Sequence, residues 1–317
     1  MKSSLLEEYL AAGYYLGSLF KGSLIVIGDS GSSLARPYTL SLASGAAATG
    51  ARIFFKHGIP LPYACFATKW LKAKATAYLN LPPRESTPQI IVLRSGERPI
   101  KVPNRKISLN WKVAESFQEL PDLSSSYLSK LLEVAGSTSN PAMVTTAVYM
   151  ECLPLLPMAL SRLGFNVTTI MFFVESSLDE CEDRVREVME ASQSTLGLLL
   201  DPSATEIRIL DQHGTPVPSS TRVSIVLRAL LRRGFRRFLI PSSLKQLSTR
   251  VKALGGSITE YPRGTPPRKP WKEVDAMVTV DCHVILRKLP WIDPILEGLL
   301  IASEASSGNP PNNLKNP

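Results

Sequence analysis

The residues best placed to do chemistry lie in the stretch 196–214, which reads LGLLLDPSATEIRILDQHG. An apolar run, a polar loop and an alternating run predict two strands, with Asp201 at the end of the first. A parallel α/β sheet presents its ligands at this end of its strands, so Asp201 could hold a divalent metal such as Mg²⁺. The next polar loop positions, Ser203 and Thr205, carry hydroxyls that offer a metal no negative charge. The sequence therefore favours the simpler interpretation of Asp201 as a turn residue before Pro202.

Two further groups of polar residues lie near predicted strands. Asp29 follows the strand LIVIG and opens a serine-rich loop that includes Ser32, where an anion could bind at the start of the next helix. This loop lacks the Gly-Lys-Ser/Thr ending of a P-loop and is therefore no nucleotide motif. Asp281, Cys282 and His283 are consecutive, and adjacent residues of a strand point to opposite faces. We therefore do not expect Cys282 and His283 to act together as nucleophile and base.

A basic segment, 219–275, carries the positive charge of the chain. The net charge is +9, and this segment contains thirteen Lys and Arg against three acids. An anionic partner is one interpretation, and a solvated helix face with cations near the helix C-terminus is the other. Arg228, Arg232 and Arg236 would form one exposed stripe if the helix continued through Gly234. The candidate polyanion contacts are Arg232, Arg233, Arg236, Arg237, Arg268 and Lys269.

The composition is that of a globular protein with more than one domain. A length of 317 residues suffices for two or three domains with buried cores, and the hydrophobic content of 44% is ordinary for such a protein. The four cysteines form no C-x-x-C pair, so the sequence offers no zinc or dithiol motif. No apolar run reaches the ~18 residues that a membrane span needs. Residues 1–22 lack a signal-peptide layout, so we predict a cytoplasmic protein without a membrane partner.

Strands and helices alternate along the chain, which predicts parallel sheets covered by helices on both faces. Helices are predicted at 5–19, 34–49, 64–74, 157–163, 178–192 and 221–233, with Ser220 or Thr221 as the N-cap of the last. Strands are predicted at 24–28, 53–55, 77–79, 90–93, 142–148 and 167–174, besides the pair within 196–214. The alternation continues at 238–241, 244–254 and 257–260. The predicted domains are 1–136, 137–218 and 219–305, followed by a disordered tail at 306–317.

The order of these segments resembles the phosphohexomutase family, which comprises phosphoglucomutases and phosphomannomutases. The loop D-P-S-A-T-E at 201–206 stands where the family has its metal loop, D-G-D-A-D-R. LIVIGDSGSS at 24–33 is similar to the family's V-V-G-R-D-T-R-x-S-S, and HGIPLP at 57–62 to its G-I-x-P-T-P turn. VDCHVILRKLPWID at 280–293 is similar to its sugar-binding G-E-x-S-G-H stretch with the D-G-I that follows. The resemblance implies three consecutive α/β/α units with mixed or parallel sheets.

The same resemblance shows where the family's chemistry is missing. Leu79 and Asn80 occupy the catalytic loop, so no serine stands at the phosphoserine position. Ser203 and Thr205 replace two of the three metal aspartates. The opening F-G-T-D-G-I-R-G motif and the fourth, phosphate-binding domain have no counterpart. Because the mutase reaction depends on a phosphoserine, a metal and a phosphate clamp, we expect neither mutase activity nor a cofactor.

The expected function is that of a phosphohexomutase-like protein that binds a phosphorylated sugar or acts as a scaffold or regulatory partner. The candidate anion contacts are Asp29, Ser32, Arg263, Asp281 and His283. A structural His283, hydrogen-bonded to a neighbour, is an equal alternative, and Asp293 is expected to cap the helix that follows it. A divergent phosphosugar mutase with Mg²⁺, completed by a partner chain, is the first alternative function. A polyanion- or nucleic-acid-binding protein is the second. A homodimer or another protein partner remains open.

Overall fold

The computed structural model describes residues 5–82, 85, 87–96, 98–102, 117–137, 142–173, 176–262, 271 and 273–307. They divide into two compact units. The first holds the described residues up to Tyr127 together with Tyr149–Leu153 and Phe173–Ser177, and the second holds the remainder. The three-domain boundaries expected from the sequence stay a prediction.

The first unit is built on a six-stranded sheet with the strand order β5-β4-β3-β1-β2-β6. Its strands are β1 (Leu24–Asp29), β2 (Arg52–Lys56), β3 (Ala75–Asn80), β4 (Gln89–Arg94), β5 (Arg98–Pro99) and β6 (Phe117–Glu119). Its helices are α1 (Leu5–Leu19), α2 (Arg36–Ala47) and α3 (Leu61–Trp70), and α4 (Ser124–Ala135) spans the boundary between the units. β1 is parallel to β2 and β3, whereas β4 is antiparallel to β3. Ile25, Val26 and Ile27 are fully buried, as in a central strand covered on both faces.

Glycines allow α1 and α2 to pack closely in this unit. A Cβ atom at Gly13 would lie 2.0 Å from Leu42 O, and one at Gly45 would lie 2.0 Å from Leu10 O. Any side chain there would force the helices apart, because packed interiors have no room for extra atoms. The small residues of α2 therefore fix the position of this helix, which follows the loop at Asp29, against α1.

The second unit contains two four-stranded sheets, with the orders β10-β9-β7-β8 and β12-β11-β13-β14. The first consists of β7 (Met143–Tyr149), β8 (Asn166–Phe172), β9 (Leu196–Leu200) and β10 (Ile207–Leu210). The second consists of β11 (Arg237–Pro241), β12 (Ser257–Tyr261), β13 (Ala276–Val278) and β14 (Val284–Leu286). The helices are α5 (Leu155–Arg162), α6 (Leu178–Ser192), α7 (Ser219–Arg232), α8 (Lys245–Ala253) and α9 (Pro294–Ser306).

Helices cover both faces of the sheet that contains β9. A Cβ atom at Gly197 would contact Val185 and Met189 of α6. Leu198 points to the opposite face, where it lies near Gly298 of α9. Because α9 packs against α7 as well as α5 and β9, this helix joins the two sheets of the unit.

The three sheets repeat one strand order. In each, the first strand of the repeat lies between the second and the third, and the fourth strand is antiparallel to the third. The repeated strands are β1–β4, β7–β10 and β11–β14. This pattern confirms the fold class predicted from the sequence, three consecutive α/β/α units with mixed sheets.

The structure confirms most predicted elements with shifted ends and corrects two details. The bounds of α1 and α6 are as predicted. The predicted N-cap of α7 is wrong, because the helix begins at Ser219 after Pro218 and no side chain caps it. The condition for a single arginine stripe is also not met, since α7 ends at Arg232 and Gly234 has a φ of 86°. The tail from 308 onwards lies outside the described residues.

Candidate functional site

The loop after β9 is organised around the carboxylate of Asp201. Its Oδ1 accepts hydrogen bonds from the backbone N–H groups of Thr205 (2.7 Å) and Glu206 (2.5 Å). Its Oδ2 accepts from the N–H of Ser203 (3.1 Å) and from the Ser203 hydroxyl. The Thr205 hydroxyl lies 3.2 Å from Oδ2 and 2.9 Å from Ser203 Oγ, so it can donate to either. Asp201 is thus the central acceptor of its own turn.

This loop does not fit Mg²⁺. An ionised carboxylate offers about four lone-pair positions, and donors of the loop already occupy them. Burial raises the pKa of the Asp201 carboxyl, while hydrogen bonds from Ser203, Glu206 and Thr205 act in the opposite direction. In the part of the chain that the structure describes, no three His, Cys, Asp or Glu side chains are grouped to hold a metal. A cation would have to displace the loop's own donors and would gain one carboxylate.

Asp29 is buried at the carboxyl end of β1. Its Oδ1 accepts from the N–H groups of Gly31 (2.9 Å) and Gly58 (3.2 Å) and lies 2.7 Å from His57 Nδ1. At this distance the contact is an ion pair when the imidazole is protonated. Oδ2 is buried and has no hydrogen-bond partner among the described residues. Because Ser32 is also buried, this loop presents neither of the predicted anion contacts to solvent.

The end of β3, which the sequence resemblance matches to the family's catalytic loop, is tied to the loop that follows β1. Leu79 O accepts a hydrogen bond from the Ser30 N–H (3.2 Å), and the Leu81 N–H donates to Ser30 Oγ (3.3 Å). Backbone groups therefore hold the end of β3. The Ser30 hydroxyl, which reaches this strand end, serves as an acceptor for the Leu81 N–H.

A buried ion pair lies under the turn between β13 and β14. Arg222 Nη1 of α7 and Glu297 Oε2 of α9 are 3.5 Å apart, and both side chains are almost fully buried. Arg222 also donates to Cys282 O (2.9 Å), and Glu297 Oε1 accepts from the Val284 N–H (2.8 Å). His283 Nδ1 lies 3.6 Å from Glu297 Oε1, which is beyond a normal hydrogen bond. The ion pair therefore holds the backbone of the turn that carries the predicted residues.

The side chains of this turn differ in their exposure. Asp281 is exposed, while the side chain of His283 is 12% exposed and faces Glu297. Cys282 has a φ of 61° and lies in the turn, so the premise that Cys282 and His283 belong to a strand is wrong. Burial raises the pKa of the Cys282 thiol, which makes it a weaker nucleophile at neutral pH.

Asp293 is the N-cap of α9, as predicted. Its Oδ1 accepts from the Leu296 N–H (3.1 Å), and its Oδ2 accepts from Trp291 Nε1 (3.2 Å). A side-chain cap satisfies one of the N–H groups that a helix leaves unpaired at its start. Both oxygens therefore serve the fold.

A cavity of about 580 Å³ opens between the first turns of α7 and α8, next to the carboxyl end of β11. Among the described residues, no side chain caps either helix. Five hydroxyl residues line the cavity, namely Ser220, Thr221, Ser224, Ser242 and Ser243. Lys245 and Arg250 add positive charge, Cys282 closes one side, and no Asp or Glu is among the described lining residues. Unpaired helix N–H groups, hydroxyls and cations together suit an anion.

Sequence reasoning missed this cavity. Ser242 and Ser243 directly follow a strand and precede a basic residue, Lys245. The same signal, a polar loop at a strand end, makes Asp29 a candidate in the sequence. What the sequence does not show is that α7 begins beside this loop.

Arg228 and the four described arginines that were predicted to contact a polyanion have partners inside the second unit. Arg228 and Arg232 both contact Glu304, at 2.9 Å and 3.1 Å. Arg233 donates to Ala135 O and Ser303 Oγ, and burial lowers its pKa. The others follow the same pattern, with Arg236 donating to Leu231 O and Arg237 to Asp275 Oδ1. Arg263, Arg268 and Lys269 lie outside the described residues.

The geometry defines a phosphohexomutase fold, and comparison with solved structures agrees. A proposed phosphomannomutase of Thermus thermophilus superimposes with a TM-score of 0.74 at 19% identity, over 99% of this chain and 79% of that one. A phosphoglucomutase/phosphomannomutase family protein of Burkholderia thailandensis gives a TM-score of 0.76 at 13% identity, over 99% and 76% of the two chains. The open form of Paramecium parafusin, a phosphoglucomutase, gives 0.68 at 13% identity, over 98% and 68%.

These likenesses establish the fold and leave the activity to be argued from the residues. No protein-family model matches the chain, and no curated protein matches it by sequence. The recognition of a phosphohexomutase-type architecture from loop order is thus confirmed at the level of structure. Of the helices that the structure describes, none has both the length and the apolar character needed to cross a membrane.

Proposed function

We propose that this chain is a phosphohexomutase-fold protein that binds a phosphorylated sugar without transferring its phosphate. The observation that carries the proposal is the Asp201 loop, where the hydroxyls of Ser203 and Thr205 stand at the positions of two metal aspartates. Ser203 donates its hydroxyl to Asp201, and Thr205 lies within reach of the same oxygen. A loop that uses its carboxylate as an internal acceptor cannot supply the charge stabilisation on which phosphoryl transfer depends.

The cavity between α7 and α8 is the part of the chain that we assign to ligand binding. Its hydroxyls match the hydroxyls of a sugar, and Lys245 and Arg250 match a phosphate. Its volume of about 580 Å³ is within the range of small-molecule sites. The ligand class is therefore a hexose phosphate or another small anion of similar size.

The proposal includes a cytoplasmic location for the protein. No disulfide joins the four cysteines, and Cys65 and Cys181 are buried. Cysteines without disulfides are usual in reducing compartments, where phosphorylated ligands are also present. If the protein is a scaffold or a regulatory partner, its state with the phosphorylated sugar bound would be the signal.

The test combines binding with turnover. We expect hexose monophosphates and bisphosphates to raise the melting temperature equally with and without Mg²⁺, because a ligand of the folded state stabilises it. Lys245→Ala with Arg250→Ala should remove most of this shift, while Lys252→Ala, an exposed change on the same helix, should preserve it. Measurable phosphoglucomutase or phosphomannomutase turnover by the purified chain would overturn the proposal in favour of a divergent mutase. If no hexose phosphate raises the melting temperature, the assignment of the cavity to a phosphorylated ligand would be wrong.

Polyanion binding remains the other functional prediction. The internal partners of the arginines at 228–237 leave less charge free than the sequence suggests. Nucleic-acid affinity that falls steeply with salt, and that is lost in Arg232→Ala with Arg237→Ala, would support it.

A further inference from the structure

The strand β8 is the feature that the proposed function does not use. It lies at one end of its sheet, next to β7, so its outer backbone groups have no strand partner among the described residues. An edge of this kind is a template for another strand, and proteins usually protect it with charges, proline or a short length. β8 has seven residues, NVTTIMF, with no charged residue and no proline.

The other edge strands of the described sheets are protected in these ways. β5 has only two residues and ends in Pro99, β6 contains Glu119, β10 contains Arg208, and β12 contains Glu260. β14 has only three residues. β8 therefore stands apart as a long, uncharged edge.

Apolar side chains border this edge on one face of the sheet. Thr146 and Thr169 share a face, since their hydroxyls are 3.4 Å apart, while Thr145 of β7 points to the other face and donates to Ser194. Met171, two residues after Thr169, is on the same face and is 62% exposed. Met158 of α5, the helix that packs against β8, is 38% exposed.

We propose that two copies of this chain associate by antiparallel pairing of β8 with β8 about a two-fold axis. A strand without charges can face its own copy with no local like-charge repulsion, and a two-fold pairing closes after two chains. A seven-residue strand spans roughly 24 Å, which buries less than the ~800 Å² per partner of a typical interface. We therefore expect a reversible dimer with a dissociation constant on the order of micromolar.

Net charge gives this dimer an unusual salt dependence. Each copy carries a net charge of +9, so two copies repel at long range. Added salt screens that repulsion and leaves the apolar and backbone contacts in place. Association should therefore strengthen as salt rises, whereas binding to a polyanion would weaken.

Sedimentation velocity over a range of protein and salt concentrations tests the proposal. Wild-type protein should dimerise reversibly, and Met171→Lys should weaken association at least about tenfold. Leu254→Lys replaces a side chain of similar exposure (53%) at the end of α8 and should leave the dimer intact. A wild-type monomer at every concentration, or a dimer indifferent to Met171→Lys, would overturn the proposal.

Cross-linking gives a second readout that does not depend on the lysine variant. Single cysteines placed in turn at 167–171 should include at least one that forms an intermolecular disulfide on oxidation, because a residue at the two-fold axis faces its own copy. Wild-type protein and Leu254→Cys serve as controls for the native thiols. If none of the five positions cross-links more than the controls, the contact lies elsewhere and the proposal fails.

Discussion

Replacing Asp201 by alanine should destabilise the second unit by about 2–4 kcal/mol. Hydrogen bonds to charged groups contribute roughly 1.5–3 kcal/mol each, and a buried donor left without a partner costs about 1–3 kcal/mol. Ser203 is fully buried and would lose the acceptor for both its N–H and its hydroxyl. The N–H groups of Thr205 and Glu206 are nearer to solvent, so water can replace much of what they lose. Asp201→Asn keeps one acceptor oxygen and should cost less.

Urea denaturation followed by tryptophan fluorescence measures this difference, since Trp291 is buried in the same unit. Glu206→Ala is the matched control, because Glu206 is exposed and contributes only its backbone N–H and C=O groups to the loop, and it should stay within about 0.5 kcal/mol of wild type. A cost below ~1 kcal/mol for Asp201→Ala would show that the carboxylate does not organise the loop. Stabilisation of wild type by Mg²⁺, lost in Asp201→Ala, would show that the loop holds a metal and would refute the reasoning.

Three further predictions concern the second unit. Glu297→Ala leaves the buried guanidinium of Arg222 uncompensated and should cost about 3–5 kcal/mol by urea denaturation, with part recovered in Arg222→Met with Glu297→Leu. Burial opposes a lower pKa at Asp275, but hydrogen bonds from neighbouring arginines hold the pKa of this carboxyl below its ordinary value. Wild type should therefore be more stable than Asp275→Asn above about pH 4, and this difference should disappear as pH falls through the lowered pKa. Burial raises the pKa of Cys282, so iodoacetamide should alkylate it more slowly at pH 7 than an unhindered model thiol, as peptide mass spectrometry would show.

The helices and strands could be predicted wherever a periodic pattern was long. The bounds of α1 and α6 followed from apolar spacing, and each helix has fifteen residues. No helix is predicted at α4, although Tyr127, Leu128 and Leu131 have the spacing of a buried helix face. The predicted start of α7 is wrong because serine and threonine favour capping positions, whereas here they belong to the first turn and line the cavity.

The site could be predicted only in part, because its decisive contacts join distant positions. The position of Asp201 at a strand end followed from the pattern, but the direction in which Ser203 and Thr205 point did not. Glu297 meets Arg222 across 75 positions, and Glu304 meets Arg228 across 76. No local sequence period links such distant positions. A count of charges along the sequence therefore predicts an open basic surface where the arginines are in fact paired.

One local motif opposes metal binding by the aspartates at the strand ends. Asp29, Asp201 and Asp211 each accept a hydrogen bond from the N–H group two residues further along the chain. This is the turn that aspartate forms readily at the end of a strand, and it directs the carboxylate back to the loop. Asp122 does the same before α4. The described lining of the cavity beside β11 differs from these turns, because it offers no carboxylate but hydroxyls and cations, which are the groups that the proposed anion site requires.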